Sequence, residues 1–346
     1  MKRLLSLSFC CIALLTLFLL PCLHADNSLE QVPPKARELL KDAHRVVFLG
    51  DSITQAGNYV TDVECWLLRH GTNVEIINLG LGSESGTDLT PEENAGHLKK
   101  YGFGHPFVSE RLGRVLEQSK PDVLFVCYGM NDCGGLPGNE TGTARYGEAI
   151  TRIRDAALKS GVKHVVICTP PIHDDGKGAL SDPAEQSLAR YTAWLLEKKK
   201  EGWEVVDLHS PMRGALDAAR AKDQQFLYAE DHVHPDREGH WLMAREIIRQ
   251  AFGGNVPDIY CSEQLFPFLG AEIRDLVNQR QKLLFNAWMT KIGHTRPNVP
   301  GGPNAQPGPS LEEAQTKAKV MTDQIDKKLQ LQQLTPAAVP TPSPAP

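Results

Sequence analysis

Several signatures are missing from this chain. It has no C-x-x-C pair, so the usual thiolate zinc spacing is excluded. It has no H-E-x-x-H pair, which removes the helix-borne zinc site of metalloproteases. No G-x-S-x-G elbow occurs, which argues against the α/β-hydrolase layout. No excess of basic charge is present: 37 Lys and Arg face 42 Asp and Glu, for a net charge of −5, and nothing points to nucleic acid. The longest basic run is Lys198-Lys199-Lys200, which reads as a solvated helix C-terminus rather than a binding patch. Beyond the first 25 residues no stretch is apolar enough to span a bilayer. What remains, 41% hydrophobic and 23% charged in 346 residues, is the composition of a globular protein with one sizeable core plus appendages.

The N-terminus differs from the rest. Lys2 and Arg3 precede an apolar run from Leu4 to Leu20, and Ala25 offers a small residue at a cut site. This is the pattern of a secretory signal peptide over residues 1–25, and it predicts a secreted or periplasmic protein. An uncleaved anchor helix is the rival, because the run is nearly long enough to span. A lipid anchor at Cys22 is disfavoured by Pro21 in the place where a small residue belongs. Loss of the leader takes Lys2 and Arg3 with it and leaves a net charge of about −7. It also takes Cys10, Cys11 and Cys22 out of the eight cysteines. The five that remain, Cys65, Cys127, Cys133, Cys168 and Cys261, are odd in number, so at least one thiol is unpaired or bonds between molecules. Cys127 and Cys168 lie in apolar runs and read as small core residues.

Five short runs rich in β-branched residues stand at 45–49, 74–79, 123–128, 164–169 and 204–208. Each is nearly continuous in apolar character, as strands buried on both faces are. Helical patterns at 59–69, 107–118, 144–159, 185–200 and 239–252 alternate with them. Alternation of this kind predicts right-handed crossovers and a parallel sheet of about five strands with helices on both sides. Two longer loops, 80–106 and 133–142, interrupt the pattern where site loops belong. The expected organisation is a lead segment at 26–39, a main domain at 40–255, a helical C-terminal extension at 256–333 and a disordered Pro-rich tail at 334–346. In the extension, 261–288 is helix-like. Ser310 and Glu313 have capping-box spacing ahead of a stripe through Val320, Ile325 and Leu329.

The first strand runs into Gly50-Asp51-Ser52-Ile53-Thr54. A serine at a sharp strand-to-helix turn is lifted out at the sheet edge, with backbone N–H groups beside it for a developing oxyanion. Read alone, the same residues are an ordinary Asp/Ser helix cap. Late in the chain stands Asp231-His232-Val233-His234-Pro235. His234 can take the serine proton and return it to a leaving group, while Asp231 fixes its tautomer. His232 fits a solvated loop and is given no role. The third strand ends in Tyr128-Gly129-Met130-Asn131-Asp132, where the Asn131 amide can donate to the oxyanion; the bland reading is an Asn/Asp turn.

Together and in this order, the three segments resemble the SGNH (GDSL-like) hydrolase family over about residues 44–252. The resemblance implies a three-layer α/β/α, flavodoxin-like fold and ester hydrolysis with no metal or other cofactor. It implies Ser52, Asp231 and His234 as the catalytic set, with Asp51, Gly129 and Asp132 in support. It also implies an oxyanion hole from Ser52, the Gly82-Ser83 region and Asn131. Many members carry glycine where Ser83 falls in Asn78-Leu79-Gly80-Leu81-Gly82-Ser83-Glu84-Ser85, which leaves the donor open between Gly82 and Ser83. A side chain there also narrows the acyl pocket towards groups such as acetyl.

Trp66, Trp194, Trp203, Trp241 and Trp288 lie in helical or strand patterns and read as core. No greasy lid helix is visible beside the site loops, which favours a polar substrate. The expectation is removal of small acyl groups from a carbohydrate, the partner being a small-molecule or polysaccharide ester, with no stable membrane span after leader cleavage. Three rivals stand beside it. One is a lysophospholipase or thioesterase acting on lipid acyl groups. Another is a metal-dependent hydrolase using Asp51, Asp132, Asp231, His232 and His234. The third is a binding module that keeps the fold, with the C-terminal helices available for self-association.

Overall fold

The computed structural model describes residues 32–176, 178–256 and 270–334. The leader, Cys261 and residues 335–346 of the tail lie outside them.

Five parallel strands form one sheet: β1 (Arg45–Gly50), β2 (Glu75–Asn78), β3 (Val123–Cys127), β4 (His164–Cys168) and β5 (Glu204–Val206). Their order is β2-β1-β3-β4-β5. Each strand is a β-branched run, and Val46 to Leu49 and Val123 to Val126 are all buried. Burying each such side chain contributes roughly 1.5–3 kcal/mol. Across β1 and β3, Phe48 stacks on Phe125 with ring centroids 4.7 Å apart. The order reverses direction at β1 and β3, and a parallel sheet opens its crevice at the carboxyl ends there.

The helices are α1 (Pro34–Leu39), α2 (Ser52–Ala56), α3 (Asn58–Arg69), α4 (Pro91–Tyr101), α5 (Leu112–Ser119) and α6 (Asp132–Gly135). They continue as α7 (Glu140–Lys159), α8 (Pro183–Lys200), α9 (His209–Arg220), α10 (Arg237–Gln250), α11 (Gly270–Ile292) and α12 (Leu311–Leu334). They flank the sheet in a three-layer α/β/α arrangement. Among the described residues no helix is long and apolar enough to cross a membrane. Cys65, Cys127 and Cys168 are buried free thiols and Cys133 is half-buried. Trp66, Trp241 and Trp288 are buried, while Trp194 and Trp203 pack edge to face at 5.8 Å.

The structure corrects several expectations. The 80–106 segment is not all loop, because α4 lies within it. The 133–142 segment begins inside α6. α9 had no counterpart in the sequence reading. In α12 the buried seam is Ala314, Ala318, Ile325 and Leu329, whereas Val320 is 56% exposed. α12 packs along α11, so only a narrow stripe is covered, and Val320 sits off it.

The extension is joined to the core by buried charges. On α3, Asp62 accepts from Arg237 of α10 at 2.7 Å and from Arg274 of α11 at 2.8 Å. Two residues on, Glu64 accepts from Arg280 at 2.7 Å and from Gln281 at 2.5 Å. Buried carboxylates are tolerated only when paired this fully, and removing one partner costs about 3–5 kcal/mol. These contacts fix where α11 ends, and so where the chain after it returns to the sheet edge.

Candidate active site

β1 ends at Gly50 because nothing larger fits. A Cβ there would lie 2.2 Å from the Thr54 hydroxyl and 2.6 Å from the Cys127 carbonyl oxygen. The chain then turns directly into α2. Asp51 is its N-cap, its carboxylate accepting from the Ile53 N–H at 2.9 Å. Ser52 opens the helix, half-exposed at the mouth of the crevice.

His234 arrives from the opposite end of the chain. Asp231 folds the segment locally: one of its oxygens accepts the Val233 N–H at 3.0 Å and the His234 N–H at 2.8 Å. Its other oxygen is 2.6 Å from His234 Nδ1. With Asp231 ionised, Nδ1 carries the proton, so Nε2 is left as an acceptor. That Nε2 lies 2.7 Å from Ser52 Oγ. Partial burial raises the Asp231 pKa, but the ring hydrogen bond of His234 and the two backbone donors outweigh it and bring the value down to about 2. Asp236, capping α10 through the Gly239 N–H at 2.8 Å, and the Arg237–Asp62 pair hold the far side of this loop. His232 sits in the left-handed region at φ 72° and does not line the cleft.

The third group, Asn131, follows β3. Its Nδ2 donates to the Glu84 carbonyl oxygen at 3.0 Å and lines the same cleft as Ser52. The Gly82-Ser83 ambiguity resolves into two different situations. The Gly82 N–H is engaged by Gln55 Oε1 at 2.6 Å. Ser83 has a φ of 64°, the left-handed conformation that favours glycine, and its N–H makes no hydrogen bond among the described residues. His105 braces the turn by donating from Nδ1 to the Ser83 carbonyl oxygen at 2.6 Å. Burial lowers the His105 pKa to about 4, so it stays a neutral donor at pH 7.

Asp132 and Gly129 act behind these groups. Asp132 is buried and accepts the Gly86 and Thr87 N–H groups at 3.2 and 2.8 Å, tying the β3 loop to the β2 loop. Gly129 has a φ of 139° and a Cβ there would lie 2.9 Å from Pro170. Asp51 is buried too. Burial raises its pKa, the Ile53 N–H opposes this, and nearby Asp132 adds to the rise, so it reaches about 7.

A buried ion pair under the site had no sequence signal. Arg111 donates through Nε and Nη2 to the two oxygens of Glu84, both at 2.6 Å, and also to the Leu79 carbonyl oxygen at 2.7 Å. The Tyr128 hydroxyl donates to Glu84 at 2.5 Å. This cluster clamps the end of β2, the Ser83 turn and the residue before Gly129 into one unit. Gln55 was also missed.

The cleft has a volume of about 690 Å³. Ser52, Gly82, Ser83, Asn131, Asp231 and His234 line it from the ends of strands and from the turn before α10. His97, Lys100 and Tyr101 of α4, with Arg296 from the loop between α11 and α12, line it as well. α4 exists because of its ends: Thr90 and Glu93 make a full capping box, Pro91 occupies the first turn and Gly102 closes it in the left-handed region. The helix is mostly polar, yet Leu98 and Tyr101 are 52% and 53% exposed. Among the described residues no group of three or more His, Cys, Asp or Glu could hold a metal ion, so the Asp51, Asp132, Asp231, His232 and His234 set does not converge on one.

A family model described as GDSL-like Lipase/Acylhydrolase family matches residues 48–242, more than half of the chain. No curated protein matches. Among solved structures the chain is similar to a gut microbial diltiazem-metabolizing enzyme, with a TM-score of 0.47 and 21% identity, over 60% of this chain and 46% of that one. The chain therefore spans less than half the length of that protein. It is also similar to Axe2, an acetylxylan esterase from Geobacillus stearothermophilus, with a TM-score of 0.43 and 21% identity, over 62% of this chain and 97% of that one. A catalytic mutant of the same esterase gives a TM-score of 0.45 at 19% identity, over 60% and 94% of the two chains. With the family match over residues 48–242, the chain belongs to the GDSL-like lipase/acylhydrolase family.

Proposed function

We propose that the protein is an exported serine ester hydrolase that removes small acyl groups, acetyl above all, from a carbohydrate. The observation that carries the mechanism is the relay from Ser52 Oγ through His234 to Asp231, at 2.7 and 2.6 Å. Ser52 Oγ attacks the ester carbonyl carbon while its proton passes to His234 Nε2. The carbonyl π pair moves onto oxygen. That oxyanion is met by the N–H groups of Ser52 and Ser83 and by Asn131 Nδ2. The tetrahedral species collapses, the C–O bond to the alcohol breaks, and the imidazolium gives its proton to the leaving oxygen. A water then repeats the sequence on the acyl-enzyme, delivering its proton to His234 and releasing the acid and free Ser52. Asp231 stays ionised throughout, since its pKa of about 2 lies far below neutral pH.

The unpaired Ser83 N–H supports its role over Gly82, whose N–H already serves Gln55. The Ser83 side chain at the turn supports a short acyl group. Export is supported by Lys2, Arg3, the apolar run to Leu20 and Ala25. The exposed Leu98 and Tyr101 on the helix bordering the cleft favour a second reading, a lipid acyl substrate.

The test is hydrolysis by the mature protein and Ser52→Ala of p-nitrophenyl esters of increasing chain length and of acetylated xylan. Acetate release from both acetyl substrates by the wild type alone upholds the proposal. High activity on long chains with none on acetylated xylan overturns the carbohydrate reading in favour of lipid. Equal activity of wild type and Ser52→Ala overturns the mechanism.

A further inference from the structure

The cleft carries charged groups beyond the triad. Arg296 comes from the loop after α11, over 50 residues beyond the end of the family match at residue 242. That loop is pinned. Arg114 of α5 donates to the carbonyl oxygens of Ile292 and Gly293 at 2.7 and 3.0 Å, and Thr295 donates to Glu110 at 2.6 Å. Within it, the His294 N–H donates to the Gly301 carbonyl oxygen at 3.2 Å. The guanidinium of Arg296 lies over the Phe103 ring at 4.1 Å, and its Nη1 donates to the Pro297 carbonyl oxygen at 2.5 Å.

Arg296 has no carboxylate partner among the described residues, and its Nε is buried with no hydrogen bond. Of the side chains lining the cleft, it is the one with a buried polar atom left unpaired. A buried polar atom without a partner has lost its hydration with nothing in return, and a ligand oxygen would supply the missing hydrogen bond. Nearby, Lys100 Nζ stands 4.9 Å from the Tyr101 ring centroid and likewise has no acidic partner. His97 adds no charge of its own. Burial lowers its pKa, and its Nδ1 donates to the Phe103 carbonyl oxygen at 2.8 Å. The one carboxylate lining the cleft is Asp231, and it is committed to His234. Beside the triad the cleft therefore carries two cations with no acidic partner among the described residues, in a partly enclosed space, which concentrates anions.

We propose that Arg296 and Lys100 form a subsite for a carboxylate on the alcohol portion of the substrate, so that the natural ester is borne by an acidic sugar. This rests on Ser52 being the nucleophile, and it makes the C-terminal extension a supplier of specificity. A planar guanidinium, braced on an aromatic ring, binds a carboxylate through two parallel hydrogen bonds in a way that a neutral sugar cannot match.

The test compares two acetate esters that differ in one charge, 4-acetoxybenzoate and its methyl ester. The proteins are wild type, Arg296→Gln, Arg296→Lys and Lys100→Gln. Wild type is expected to favour the carboxylate ester by about tenfold or more in kcat/KM, mainly through KM. Arg296→Gln should abolish most of this preference, the loss falling mainly on the carboxylate ester. Arg296→Lys should restore part of it, and Lys100→Gln should lose about threefold, as a more exposed cation does. No preference in the wild type, or equal losses on both esters in Arg296→Gln, would overturn the subsite. The catalytic reading fails separately, if neither ester is hydrolysed or if Ser52→Ala hydrolyses both. In that case calorimetry on Ser52→Ala still decides the subsite. Tighter binding of the carboxylate than of the methyl ester, lost on adding Arg296→Gln, upholds it, and equal binding rejects it.

Discussion

The proposed reacting groups all stand where a strand ends or a helix begins. Ser52 follows β1, Asn131 follows β3, and the Asp231–His234 turn precedes α10. Each is locked from behind, by the Gly50 close approach, by Asp132 and by Asp236 with Arg237. The rest of the lining comes from α4, a helix with no buried residue, and from a loop carried by the C-terminal extension. On the proposed reading the difference separates two tasks. Groups that act on the reacting atoms need sub-ångström placement and are set on the rigid sheet. Groups proposed to choose the substrate sit on attachments that can change without disturbing the sheet.

Substitutions should separate the two sets of residues by size of effect. Ser52→Ala or His234→Ala should lower kcat on p-nitrophenyl acetate by on the order of 10⁴–10⁶, in single-turnover and steady-state assays alike. A loss under tenfold would place the chemistry elsewhere. Glu84→Gln leaves Arg111 as a poorly compensated buried cation beneath the oxyanion turn, and should cost about 3–5 kcal/mol in denaturant unfolding. Unchanged unfolding would show that the pair is not needed to clamp the turn. Asn131→Ala should cost about 10²–10³ in kcat with little change in KM, the signature of a donor used in the transition state. Tyr101→Ala, at the end of α4, should leave kcat on p-nitrophenyl acetate within about twofold while raising KM for larger alcohols a few-fold. A large fall in kcat would erase the division of labour between the sheet and its attachments.

The smallest effect contrasts the two aspartates flanking the catalytic groups. The folded-state pKa of Asp51 is raised from 3.8 to about 7. Its neutral form therefore stabilises fully below pH 3.8, and that contribution is lost as pH rises towards 7. Asp231 is shifted the other way, to about 2, so its contribution is present above pH 3.8 and lost as pH falls through 2. Asp51→Asn keeps an oxygen for the Ile53 N–H. It should match wild type in Tm near pH 4 and exceed it by a few degrees at pH 8. Asp231→Asn should show no such gain at pH 8. Identical Asp51→Asn and wild-type curves at both pH values would mean that Asp51 is not held neutral by burial.

The strand runs and most helices on the sheet were legible because two-sided burial leaves an almost continuous apolar run, and amphipathic helices leave a period. The structure places β1 at Arg45–Gly50 and β3 at Val123–Cys127, within a residue of the apolar runs. α4 left no such mark because it buries nothing. Its signal was instead in its ends, Thr90-Pro91-Glu92-Glu93 and Gly102, and that signal identifies a helix without saying what it faces. Val320 was misplaced for a related reason: a stripe can be read from spacing, but its width depends on how much of the helix a neighbour covers.

By itself the sequence determined the parallel α/β sheet and the short-range chemistry. Asp231 and His234 are three residues apart, and Asp51 caps the turn that begins with Ser52, so their mutual geometry is a matter of local backbone. Only the tertiary structure could decide that Ser52 meets His234 across 182 residues, or that Glu84 is neutralised by Arg111 27 positions later. It alone distinguished the Gly82 and Ser83 N–H groups, by giving one of them to Gln55. It alone brought Arg296 to the cleft, through ion pairs between α3 and α11 that no local pattern records. Local hydrogen bonds are written in the spacing of neighbouring residues. Long-range contacts follow from which buried surfaces and charges find one another once the chain has closed.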